Sequence, residues 1–237
     1  MDFRVHIPNT FTILNLLAGS LSLLLLFKGA YTEAAVLILV ASVFDFLDGF
    51  SAKLLNAKSL IGKELDSLAD VVSFGLVPAL FLYVVMSRNT LLMDDNYFVL
   101  SYFSLLIGAF SALRLAKFNV DTRQTVSFLG LPTPANAVLI ISLSMITLTG
   151  ENNIPIISSL VSNIWFQLAI IPISCYLLVS EIPMFALKFS KGYKFSNNKL
   201  RYTFMLFTVI ATIFFQWTGI AISMVVYLLS SFITRNK

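Results

Sequence analysis

The chain has 237 residues, 58% hydrophobic and 12% charged, with a mean hydropathy of +0.88. That composition excludes an ordinary soluble domain and points to an integral membrane protein with several helices. The single cysteine (Cys175) and single histidine (His6) exclude an intrachain disulfide and a Cys–His zinc site, and a net charge of +4 interrupted by apolar runs excludes a nucleic-acid-binding stripe.

Residues Asp2 to Asn9 are mixed and partly amphipathic, as expected of a segment at the membrane surface. Arg4 precedes an apolar run, as in a signal peptide. The run continues past Leu26 without a small-residue cleavage site and is followed by further spans, so it reads as a retained first helix. The first span covers about Phe11 to Phe27, with polar residues Thr12 and Asn15 near its start; the second covers about Tyr31 to Phe50. A polar connection with Lys53, Lys58 and Lys63 leads to a third span ending near Met86. Further spans are expected over about Tyr97–Ala116, Ala135–Thr149 and Ile156–Val179. A basic segment, Lys188 to Arg201, precedes a hairpin of two helices over about Tyr202–Phe215 and Gly219–Ile233.

The expected fold is therefore an all-α polytopic membrane protein with about eight transmembrane helices; six plus a differently placed hairpin is the alternative count. One domain over 1–237 is expected, with a catalytic core of about 8–180 and a C-terminal hairpin of about 202–233. With both termini inside, fourteen of the sixteen basic residues fall on cytoplasmic segments and only Lys28 and Arg88 fall outside. The positive-inside rule then predicts a protein of the cell membrane, with termini and polar active-site cavity facing the cytoplasm.

The segment Asp45–Asp70 holds four aspartates, Asp45, Asp48, Asp66 and Asp70. The first pair is spaced i, i+3 and the second i, i+4, so each pair shares one helix face. Uncompensated carboxylates in apolar surroundings are costly, so a cation should bind there. An all-carboxylate donor set suits Mg²⁺ or Mn²⁺, with Ca²⁺ as a further occupant, and four carboxylates have room for two ions. Gly49 and Ala52 let a phosphate approach the backbone, Lys53 offers a positive charge, and Gly62 allows a tight return. These features describe a pyrophosphate-plus-metal site, against the simpler readings of solvated helix caps or a cation pathway.

The pattern Asp48-Gly49-x-x-Ala52-Lys53, eight residues, Gly62, three residues, Asp66, three residues, Asp70 resembles the signature of the CDP-alcohol phosphotransferases, with Asp45 where that family places its first aspartate. The family usually has Arg where this chain has Lys53; the charge is kept and the bidentate fork is lost. The resemblance implies that Asp45, Asp48, Asp66 and Asp70 hold a divalent metal pair and that Asp70 is the general base. It implies that Pro8, Asn9, Thr10, Gly49, Ala52, Lys53, Ser59 and Gly62 form the CDP-lipid site, and that the protein is a homodimer.

A finer resemblance, to the phosphatidylserine synthase branch, lies in Asp66–Gly75, in Ala112–Val120 and in Phe128–Ala135. It extends from the first span to about Ala137 and implies CDP-diacylglycerol and L-serine as substrates. Arg114 is a candidate fork for the serine carboxylate, or else a lipid-phosphate anchor; Asn119 and Arg123 are further candidates. The Gly130–Pro134 segment cannot be regular helix and is expected to form a rigid loop beside the site. Arg114, Lys117 and Arg123 would equally serve a phosphate-bearing acceptor such as glycerol phosphate or inositol phosphate. A cation or proton transporter using the same aspartates is the rival from another class.

Overall fold

The computed structural model of the protein describes residues 5–57, 59–89, 98–120, 130–184 and 199–234, and its elements are all helices. Helix α1 covers His6–Phe27 and α2 covers Tyr31–Leu54. The first helix thus starts at His6, so residues 6–9, expected at the membrane surface, are continuous with it. The turn between the two helices carries Gly29 at φ 81°, a conformation that side chains rarely adopt. Apolar burial gives helices little reason to associate in lipid, so small residues and interhelical hydrogen bonds take its place. Ala18, Gly19 and Ser22 of α1 and Ala34, Ala35 and Ala41 of α2 are accordingly buried. The Ser22 hydroxyl donates to the Ala34 carbonyl at 2.7 Å.

Helix α3, Leu60–Asp70, continues through a π-helical segment, Val71–Leu76, into α4, Val77–Ser87; together they form one span of 28 residues. A 3₁₀ segment, Phe98–Ser104, leads into α5, Leu105–Val120. The π segment packs against both α1 and α5. The Ser73 hydroxyl donates to the Asn15 carbonyl at 3.0 Å, and Gly19 packs directly on Ser73. A Cβ on Gly75 would stand 3.1 Å from the Ser111 side chain of α5. These approaches fix α5 alongside α3, with Arg114 near the Asp70 level.

Helix α6 covers Thr133–Leu148, α7 Pro155–Ser162, α8 Ile164–Val179 and α9 Lys199–Thr234. The expected sixth span is bent by 77° between α7 and α8, where the Asn163 side chain accepts the Trp165 N–H at 2.9 Å and starts a new helix. Within α9, Gln216 has φ 46° and ψ −123°, which folds the helix back on itself. A side chain on Gly219 would overlap the Ala211 carbonyl, so the two arms touch backbone to backbone. The turn is held from outside, because the Glu151 carboxylate accepts the N–H groups of Trp217 and Thr218 at 3.1 and 3.0 Å.

Among the described residues, five helices are long and apolar enough to cross a bilayer, or six if the bent pair α7–α8 counts as one span. The chain is an integral membrane protein whose described elements are all helical. α6 has 16 residues, about 24 Å of helix against a hydrocarbon core of about 30 Å. The expected basic segment, Lys188 to Arg201, lies outside the described residues from 188 to 198.

Candidate active site

Two helix ends bring the aspartates together. Helix α2 runs on to Leu54, a full turn beyond the expected end of its span, and the chain reverses through Asn56 at φ 51°. Ser59 then caps α3, its hydroxyl accepting the Gly62 N–H at 2.9 Å. Carboxylate oxygens of Asp45, Asp48 and Asp66 consequently lie within 4.8 Å of one another. Asp70 is one turn further along α3, 6% exposed, and stands outside this trio.

Helix α1 grips two of the four carboxylates. The Thr12 hydroxyl donates to Asp48 Oδ2 at 2.8 Å, and Asn15 Nδ2 donates to Asp70 Oδ1 at 3.2 Å. Asn15 is fully buried, and its carbonyl is held in turn by Ser73. By sequence Thr12 and Asn15 are polar residues that open the first span, and their periodicity carries a sharper signal. Pro8, Thr12, Asn15, Gly19 and Ser22 recur at helical spacing and form one small and polar stripe, all of it buried.

Two cavities meet at the cluster. The first, about 460 Å³, is lined by Pro8, Asn9, Thr12, Asp48, Gly49, Ala52, Ser59, Gly62, Lys63 and Asp66. Of the residues proposed for a CDP-lipid, six line this cavity. Thr10 and Lys53 do not; both are exposed, and the Thr10 hydroxyl turns back to the His6 carbonyl. The second cavity, about 690 Å³, is lined by Asp45, Asp66, Asp70, Arg114 and Asn119, and by Pro132 to Ala135. Lys63 and Asp66 belong to both walls. From the sequence alone Lys63 is only a basic residue of the polar connection. Its ammonium donates to the Asn119 carbonyl at 2.7 Å, while the Asn119 amide donates to Ser67. Arg123, the third acceptor candidate, lies outside the described residues.

The loop from Gly130 is knit to the end of α8. The N–H groups of Gly130 and Leu131 donate to the carbonyls of Ile182 and Leu177, each at 2.9 Å. Gly130 has φ 75°, and a Cβ there would stand 2.7 Å from the Ser180 carbonyl, so only glycine fits. This packing sets Pro132 and Thr133 rigidly against the second cavity.

The donor set fits a hard divalent cation. Asp66 Oδ1 is buried with no hydrogen-bond partner, beside two further carboxylates. Such an arrangement is costly unless a cation completes it, and oxygen-only ligation suits Mg²⁺ or Mn²⁺.

The sequence profile of the CDP-alcohol phosphatidyltransferase family matches residues 5–179, and the chain belongs to that family. Among curated relatives, it is 37% identical over 136 residues to a CDP-diacylglycerol–serine O-phosphatidyltransferase of Helicobacter pylori, covering 56% of this chain and 55% of the relative. It is 36% identical over 140 residues to the archaetidylserine synthase of Methanothermobacter thermautotrophicus, covering 58% and 57%. It is 34% identical over 139 residues to the CDP-diacylglycerol–serine O-phosphatidyltransferase of Bacillus subtilis, covering 59% and 75%. The matches thus span little more than half the length of the first two relatives.

Proposed function

We propose that this chain transfers a phosphatidyl group from CDP-diacylglycerol to L-serine, giving phosphatidylserine and CMP. The observation that carries this reading is the pair of cavities that share Asp66 and Lys63 and converge on one aspartate cluster. A transfer reaction needs two binding places that meet at the reacting groups. The first cavity, lined by Gly49, Ala52 and Gly62, suits the CDP-pyrophosphate; the second, with Asp70 and Arg114, suits a small polar alcohol. Relatives named for two different lipid products are both named for serine, which supports serine over glycerol phosphate as acceptor.

In this reading Asp70 takes the proton of the serine hydroxyl as that oxygen attacks the lipid-side phosphorus. One O–P bond forms, the P–O bond to CMP breaks, and CMP leaves with the bonding electron pair. Asn15 holds one Asp70 oxygen, leaving the other for the acceptor. Arg114 receives the serine carboxylate. A divalent cation bound by Asp45, Asp48 and Asp66 would supply positive charge to the pyrophosphate and the leaving group.

The topology belongs to the same proposal: eight crossings in one domain, with the cluster and both termini on the cytoplasmic side, in a homodimer as the family resemblance implies. The Glu151 link between the α6–α7 turn and the α9 turn supports it, because an up-and-down path puts both turns at the end opposite the aspartates. Lys63 and Lys117, at the aspartate end, support the cytoplasmic assignment.

The test is metal-dependent release of CMP from CDP-diacylglycerol by purified protein, against a panel of serine, glycerol 3-phosphate and inositol phosphate. Serine should stimulate release most. Cation flux in proteoliposomes without CMP release from any acceptor would overturn the enzyme reading in favour of transport.

A further inference from the structure

The second cavity has a wall beyond the reach of both the aspartate motif and the family profile. The profile ends at residue 179, yet Met184, Phe204, Met224 and Tyr227 line the cavity together with Asp70 and Arg114. Phe204 comes from the first arm of α9, and Met224 and Tyr227 from the second, so the fold-back at Gln216 is what puts all three on one wall. Tyr227 is the residue of this group that carries a hydroxyl. It is 6% exposed, and its ring lies against Phe204 with centroids 6.2 Å apart. Leu131 and Leu177 share its apolar cluster, which fixes the ring beside the Gly130–Pro134 loop.

Arg114, which lines the same cavity, is 8% exposed and its Nε has no hydrogen-bond partner. The guanidinium and the Tyr227 phenol belong to side chains that line this one cavity, and the charge acting most on the guanidinium is the Asp70 carboxylate. With Asp70 supplying counter-charge, the unmet Nε–H of a buried guanidinium still calls for an acceptor, which a ligand carboxylate can provide. A phenol lining the same cavity offers a second donor, and hydrogen bonds to a carboxylate are the stronger kind. The neighbouring Phe204 and Met224 offer little to a longer or doubly charged acceptor. Buried apolar surface discriminates against such groups by leaving them unpaired.

We propose that Tyr227 is a specificity-determining residue for the acceptor: its phenol joins Arg114 in receiving the carboxylate of a small hydroxy-amino acid, and its ring limits the acceptor's length. This rests on the transferase reading above and gives the C-terminal hairpin a role in it.

The test uses the full-length protein with Mn²⁺ and CDP-diacylglycerol in detergent–lipid micelles, measuring CMP release with L-serine, L-homoserine and glycerol 3-phosphate. Tyr227→Phe keeps the ring and removes the donor. Its KM for serine should rise about tenfold, with a much smaller loss of kcat and the KM for CDP-diacylglycerol unmoved. Tyr227→Ala opens the wall and should lower the preference for serine over homoserine about tenfold. A purely structural role would move both KM values and kcat together. If Tyr227→Ala does not fold, Tyr227→Phe decides alone. An unchanged serine KM in Tyr227→Phe, with the wild type active on serine, overturns this inference and leaves the transferase reading standing. A wild type that releases CMP with none of the acceptors overturns both.

Discussion

The two ends of the chain build the site in different ways. At the N-terminal end, Asp45 to Asp70 supplies the whole acidic cluster from two consecutive helices, and α1 braces it from the next position in the chain. At the C-terminal end, α9 carries no acidic residue and no motif, yet Phe204, Met224 and Tyr227 close the second cavity. The difference separates two tasks. Reacting groups need fixed residue types at fixed spacing. A cavity wall needs shape, and several unrelated sequences can provide it. Variants on the first region should therefore strike kcat, and variants on the second should strike the acceptor KM.

The largest effect is expected for Asp70→Asn, which should lower kcat about 10³-fold by removing the proton acceptor, while binding of CDP-diacylglycerol survives. A single-turnover assay beside a lipid-binding measurement checks this; near-normal turnover would remove Asp70 from the role of base. Next, Asn15→Ala deletes a hydrogen bond to a carboxylate, a loss of about 1.5–3 kcal/mol, so kcat should fall about ten- to a hundred-fold. Asn15→Asp places a second carboxylate against Asp70 and should do no better, which steady-state kinetics on both variants will decide.

A smaller effect should follow from loosening the hairpin. Glu151→Gln weakens the two N–H contacts at the α9 turn, and the serine KM should rise by about a factor of three with the CDP-diacylglycerol KM unchanged. Equal changes in both KM values would blur the division between the two regions. The smallest effect is expected for Lys53→Ala. Lys53 is exposed and outside the first cavity, so the KM for CDP-diacylglycerol should change by less than about threefold. A loss of a hundredfold would instead return Lys53 to the phosphate site that the family resemblance gives it.

Hydropathy made the helices legible, and α2, α6 and the hairpin arms fall within a few residues of expectation. It could not show the bend at Asn163, because a window average is blind to a single capping side chain. It could not show the π-helical segment after Asp70 either, which lies where Gly75 approaches α5.

By itself the sequence determined that this is a membrane protein with a clustered acidic site near the ends of its second and third helices. Apolar length and i, i+3 and i, i+4 spacing are local properties, and a helix converts them directly into position. Only the tertiary structure decided that Thr12 and Asn15 hold Asp48 and Asp70, that Lys63 stands between two cavities, and that Tyr227 lines one cavity with Arg114. Those pairings join residues from 36 to more than a hundred positions apart. They depend on how closely helices approach, which small residues such as Gly19, Gly75 and Gly219 permit and which no local pattern records.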